Sequence, residues 1–467
     1  MTTFTWNGGN GTWQSPQSWT PPGPPTGYTS FGHYQSSDAA VFATGARTPY
    51  TVDFGGSQVL YYGFPPDPVT PFTSSNEAIV GGVTVTHDRV TFRNLALGSL
   101  GTVTIQGGGT LTLQATPAVP AFQTVQHEGV AGTIFTVADG RLNLDESMLW
   151  VSIRVSPHGS LGVSGSGVSV QVSPYSSLDI AAGGHATVSG GATLTSPYTM
   201  LAGALRIEGA GSEADLYNIF SPSGGALTGS ISVGSGARFL GVPLLQGTVS
   251  LDGGTAGLTG IASGGKVTGH GTLESQSRLQ NGSSGTVAND GSIIAQGGTL
   301  ALPDPVTGSG DLAIIGPATL ELGASTSEAI RFLGVAGKLL LDNGAQATGR
   351  ISGFGLGDTI DLAGVTGVHK SVSYSGGDTM LSITGTSAGG AVSGSFHLAG
   401  HYRPGEFVTH ADGHGGTAIT DLVPGYASLS QALSATGTTL PDLPISAGSL
   451  DTAPVSDTVE GLLPHPG

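Results

Sequence analysis

Short runs of alternating apolar and polar residues recur along the chain, each broken by a turn bearing Gly, Asn or Asp. GTVTIQGGGTLTL starts at Gly101, GSLGVSGSGVSVQV at Gly159, SSLDIAAGGHATV at Ser176 and GALRIEGAGSEADL at Gly203. The pattern returns as GSISVGSGARFL from Gly229, GTVSLDGGTAGLTG from Gly247, GTVANDGSIIAQGGTLAL from Gly285 and GKLLLDNGAQATG from Gly337. Period-two alternation predicts half-buried strands, and Gly marks the corners, where positive φ is needed. One such unit cannot bury its apolar face alone, whereas stacked units can. Recurrence at uneven intervals of roughly 17 to 27 residues therefore predicts a repeat architecture. The expected fold is all-β: a right-handed parallel β-helix, or β-solenoid.

The pattern also divides the chain. Residues 1–75 hold Trp6, Trp13 and Trp19 in TWNGGNGTWQSPQSW, with much of the proline. They read as an aromatic-rich cap over an exposed rung edge; the competing reading is a sugar-stacking platform. Tyr61, Tyr62 and Phe64, in LYYGFPPDP, fit either role. Residues 76–345 form the repeat body, least regular around Glu128 to Leu149, where a loop excursion is expected. Residues 346–422 read as a β-rich C-terminal module that either continues the solenoid or forms a separate sandwich. Residues 423–467 read as a flexible tail holding an export signal and a short helix at Ala427–Ala435.

Composition narrows the picture. Gly is 80 of 467 residues with no G-x-y period, which excludes collagen. Charged residues are 10% and mean hydropathy is +0.14, unlike a charged disordered chain. The net charge of −17 and the three lysines (Lys266, Lys338, Lys370) leave no basic stripe in sequence for a phosphate backbone, so no nucleic-acid partner is expected. The acidity reads as solubility or as calcium binding. No cysteine is present, which removes disulfides and thiolate chemistry. The opening MTTFTWNGGN lacks the basic and apolar regions of a signal peptide. No apolar run is long enough to span a bilayer as a helix.

Two segments carry a resemblance. WNGGNGTWQSPQSW with DAAVF and YTVDF resembles the N-terminal pattern of bacterial passenger-type β-helices, those of autotransporter and related surface proteins. FGLGDTIDLAGV, GGDTMLSI, FHLAGHY and FVTHADGHGGTAIT resemble the end module of large extracellular, type I-secreted proteins. The resemblance implies export, a right-handed β-helix and a role in adhesion, matrix or coat. No barrel pattern follows, so self-translocation is not expected, and the tandem nonapeptide of calcium β-rolls is missing.

Candidate chemistry is sparse. Asp252, Asp290 and Asp342 adjoin strands and suggest either lyase or hydrolase carboxylates or turn caps. Arg206, Glu208, Glu213 and Asp215 form the densest charged group, with an Arg206–Glu208 surface pair expected. Lys266, His270 and Glu274 recur at four-residue spacing without a helix to align them. His401, His410, Asp412 and His414 suggest zinc, with a hairpin turn at ADGHGGT as the alternative. Asp358, Asp361, Asp378, His410, Asp412 and His414 are the metal candidates, and Trp6, Trp13, Trp19, Tyr61 and Tyr62 are the assembly or glycan-contact candidates. No cofactor is expected beyond calcium. The chain is expected to be a non-enzymatic surface or matrix protein whose partners are itself, head-to-tail or laterally, or surface glycans. The alternatives are a polysaccharide lyase or depolymerase and a glycan-binding module.

Overall fold

The computed structural model describes residues 2–25, 38–46, 48–54, 82–93, 102–114, 134–145, 151–174, 176–216, 228–241, 244–342 and 344–421, with the backbone of a few short strands between them. Of the described residues 59% are strand and 3% helix, and they form a β-solenoid of about 11 turns with parallel stacked strands. Tyr61, Tyr62, Phe64 and the tail 423–467 lie outside the described residues.

Three walls carry the stacking. The first runs from Thr3–Trp6 and Ala39–Phe42 through Gly82–Thr86, Thr102–Gln106 and Ile134–Val137 to Thr199–Leu201. The second begins at Gly11–Thr12 and Tyr50–Asp53 and continues through Arg89–Arg93, Thr110–Gln114, Arg141–Leu144, Ser160–Ser164, His185–Ser189 and Ala204–Glu208 to Arg350–Ser352. The third includes Ser169–Val172, Thr193–Thr195, Glu213–Asp215, Arg238–Leu240, Thr319–Leu322, Lys338–Leu341 and Thr359–Leu362. In later turns a short ladder of Gly260–Ile261, Val287–Asn289 and Val306–Thr307 takes the first wall's place in the chain order.

Parallel pairing in register puts like on like. Val83, Val103, Phe135, Ile153 and Leu178 form one interior column, and Val85, Ile105, Val137, Val155 and Ile180 the next. Each buried aliphatic side chain contributes about 1.5–3 kcal/mol. A one-residue slip would turn a whole column to solvent, so the alternation fixes the register.

The corner entering the second wall is a column of glycines. A Cβ on Gly247 would lie 2.0 Å from the carbonyl oxygen of Gly229, and one on Gly229 would lie 2.2 Å from that of Gly203. Those same carbonyls accept the N–H of the residue that opens the next turn, Thr248 onto Gly229 and Ser230 onto Gly203. Any side chain here would wedge the turns apart.

The N-terminal end departs from the domain bounds read from sequence, and the C-terminal end decides between the two alternatives left open for residues 346–422. Residues 1–75 are not a separate cap, because Thr3–Trp6, Ala39–Phe42 and Tyr50–Asp53 are already wall strands. Among the described residues Trp19–Thr20 closes the end, antiparallel on the first strand. At the other end the solenoid runs past residue 345, since Arg350–Ser352 and Thr359–Leu362 stack in register on the turn before. An antiparallel meander of Thr366–Ser375, Asp378–Ser387 and Gly390–Leu398 then lays its last strand on the second wall. The hairpin Phe407–Ala411 and Thr417–Asp421 closes the third wall antiparallel. The segment therefore continues the solenoid and then caps it. Within the stretch expected to be irregular, Ile134–Val137 and Arg141–Leu144 sit in regular wall positions.

Candidate functional site

The three N-terminal tryptophans are interior. Trp6, Trp13 and Trp19 are at most 1% exposed. Trp19 meets Trp6 edge-on at 5.0 Å and Trp13 at 4.8 Å, and Trp13 stacks on Phe54 at 4.9 Å. The Trp19 indole N–H donates to the carbonyl of Trp13 at 2.9 Å. This packing corrects the stacking-platform reading, because no ring face is open to a sugar; the rings fill the terminal turn, where no further turn covers the core.

The metal candidates are spread over separate structural tasks at the C-terminal end. Asp358 is buried and accepts the N–H groups of Gly337 (2.8 Å) and Gly355 (3.0 Å), while burial pushes its carboxyl up. Asp361 pairs with Lys338 at 2.6 Å. Asp378 takes a fork from Arg350 (2.8 and 3.0 Å) and a contact from His397 (2.9 Å), and the Arg350 hydrogen bonds hold its carboxyl well below the usual range. Asp412 accepts the N–H groups of Gly416 (2.8 Å) and His414 (2.6 Å), which makes ADGHGG the turn of a hairpin. His410 and His414 are exposed, and His401 stacks on Tyr374 at 4.6 Å. Among the described residues, no three histidines or carboxylates converge as a metal cage.

The catalytic candidates also separate. Asp290 accepts the N–H (3.0 Å) and hydroxyl (2.8 Å) of Ser309, a turn cap across two turns. Asp252 faces His270 at 3.5 Å. Arg206 and Glu208 form the expected surface pair at 2.7 Å, while Glu213 and Asp215 lie on the third wall. Lys266, His270 and Glu274 share the strand Lys266–Ser275, which passes from the second wall to the third, so Glu274 stands on a different wall from Lys266.

One polar hollow gathers several groups. It has a volume of about 260 Å³ and is lined by Arg278, Leu302, Pro303, Glu321, Gly323 and Asp342, among others. The short helix Gln276–Asn281 borders it, capped by the Ser275 hydroxyl at one end and by Gly282, at φ 75°, at the other. Asp304, buried behind it, takes both Arg278 Nε (2.9 Å) and Nη2 (2.7 Å) and the Ser275 N–H (2.9 Å) and hydroxyl (2.7 Å). Burial works to raise the Asp304 carboxyl, but these hydrogen bonds outweigh it and hold it low. Sequence reading missed this helix and its arginine, although ESQSRLQNG carries both cap signals.

The second wall carries the feature that sequence order conceals. Its outward positions hold Arg89, Arg93, Arg141, Arg206, Lys266, Arg331 and Arg350, half of the chain's 14 lysines and arginines. Between them stand Thr91, Thr110, Thr112, Asn143, Ser160 and Thr187 in register. The Asn143 amide donates to the Thr112 hydroxyl at 3.2 Å, tying one turn to the next.

No protein-family model, curated protein or solved structure matches the chain. No helix among the described residues is long and apolar enough to cross a membrane, which says nothing of β-barrels.

Proposed function

We propose that the chain is an extracellular structural protein of a bacterial surface or matrix, acting by adhesion or lateral self-assembly through its walls. The observation that carries this reading is the second wall, a ladder of outward polar and cationic side chains held in register over successive turns. A parallel ladder fixes its side chains at about 4.8 Å per turn, a spacing suited to an extended polymer or a copy of itself. The antiparallel strands laid on the first wall at one end and on the third wall at the other favour side-by-side over head-to-tail assembly. Negative-stain electron microscopy with and without calcium, alongside glycan-array binding, tests the reading. Laterally associated rods or glycan capture would support it. Isolated rods at high concentration that capture no glycan would overturn it.

A second reading, a carbohydrate-active enzyme, draws support from the hollow where Glu321 and Asp342 face Arg278. It requires that acidic polysaccharides gain new reducing ends or unsaturated products in the protein's presence, and that Glu321→Gln abolish the gain.

A further inference from the structure

Resting on the reading of the walls as working surfaces, we infer that the N-terminal half of the second wall binds a linear polysaccharide bearing carboxylates. The argument begins with the register. Arg89, Thr110, Arg141, Ser160 and His185 occupy one outward lane on five consecutive turns. Basic side chains therefore recur on every second turn, about 10 Å apart at the usual parallel-strand spacing. Arg93 stands at the other end of the first of these strands, opposite Asp53 on the turn before.

The five strands contain three arginines and no acidic residue. Asp145, just beyond the third, accepts the Ser164 hydroxyl at 2.6 Å. Elsewhere on this wall the arginines are neutralised, Arg206 by Glu208, Arg331 by Asp311 and Arg350 by Asp378, while Lys266 stands between them without an ion pair among the described residues. Arg89, Arg93 and Arg141 are exposed and have no ion-pair partner among the described residues.

On a chain of net charge −17, these three guanidinium groups without ion-pair partners give this face its anion-binding donors, although Asp53 lies opposite Arg93 and Asp139 two residues before Arg141. Arginine forks match carboxylates in pairs, and hydroxyl and amide groups between them suit sugar hydroxyls. A flat wall with one cationic lane fits an extended acidic chain lying along the stacking direction. A second copy is the poorer occupant of this lane, because two lanes meeting face to face would oppose guanidinium to guanidinium.

The probe is polygalacturonate, with dextran as the neutral control and duplex DNA as the non-sugar polyanion, measured by calorimetry at low and high salt on the full chain. The variants are Arg89→Gln/Arg141→Gln, at exposed sites, and Lys266→Gln/Arg331→Gln on the far half of the same wall; melting curves check the fold. The expected result is polygalacturonate binding that the first variant weakens at least tenfold and the second leaves within twofold, that salt weakens, and that dextran lacks. Equal loss in both variants, or unchanged binding in the first, would overturn the inference, as would DNA binding as tightly as polygalacturonate. If the wild type ignores polygalacturonate but assembles laterally or captures neutral glycans, this inference fails while the wall reading stands. If it does neither and polygalacturonate is also ignored, both fail together.

Discussion

At the scale of single residues, stability concentrates where polar or aromatic groups lack a neighbouring turn. Trp13 is enclosed by Trp19, Phe54 and Phe92. Trp13→Ala is expected to cost about 3–5 kcal/mol, read as a drop in denaturant midpoint with loss of near-ultraviolet dichroism. Asp88, fully buried, does comparable work in polar form: it accepts two backbone N–H groups and the hydroxyls of Thr44 and Tyr50. Other acids are less well served. One oxygen of Asp215 and one of Glu328 are buried without a hydrogen bond. Burial, and then the neighbouring Glu213, push Asp215 up to about 6; burial likewise raises Glu328 despite the Asn289 amide at 2.6 Å. A carboxyl raised on folding stabilises below its unfolded pKa of about 4 and loses that contribution as pH rises through its folded value. Urea midpoints should therefore fall between pH 4.5 and 7.5. In Asp215→Asn the fall should be smaller, by about 1 kcal/mol after allowing for solvent screening; an equal fall in both would refute the assignment.

At the scale of elements, the glycine corner and the closing hairpin set the limits of tolerance. Gly247→Ala places a methyl against the Gly229 carbonyl and should cost about 1–3 kcal/mol or more, measurable as a lowered melting temperature. Removing residues 366–421 uncovers the last strands of the second and third walls, and such bare edges pair with other chains. Light scattering of the truncated protein should show large species that the full chain lacks. The strands themselves were legible in sequence, because GTVSL and GSISV alternate with period two behind a glycine that the corner demands. The helix Gln276–Asn281 was not, being too short for a periodic signal despite its Ser and Gly caps. The end of the solenoid stayed open in sequence because Gly-Asp turns such as GLGDTIDL look the same whether the next strand is parallel or antiparallel. The cationic lane was invisible for a different reason: Arg89 and Arg141 are far apart in sequence, and unequal turn lengths hide the register that aligns them.

At the scale of the whole molecule, charge is sparse and its cations are unevenly placed. The acids spread over turns and walls, Asp53, Glu208, Asp252 and Asp311 on the second wall among them, while half the lysines and arginines stand on that wall. A net charge alone would suggest a uniformly repulsive particle, but the unpaired arginines give it a preferred side for an anionic partner. The glycine corner has a further consequence for size. Because each turn meets its neighbours through the same carbonyl-to-N–H step, the fold is graduated like a ruler, and a whole division can be added without redrawing the others. Duplicating residues 248–265 should lengthen the particle by about 4.8 Å at nearly unchanged stability, detectable in its small-angle scattering profile. Duplicating a fraction of that span should prevent folding. Reach, in such a protein, can change in whole steps while the chemistry of the wall is merely repeated.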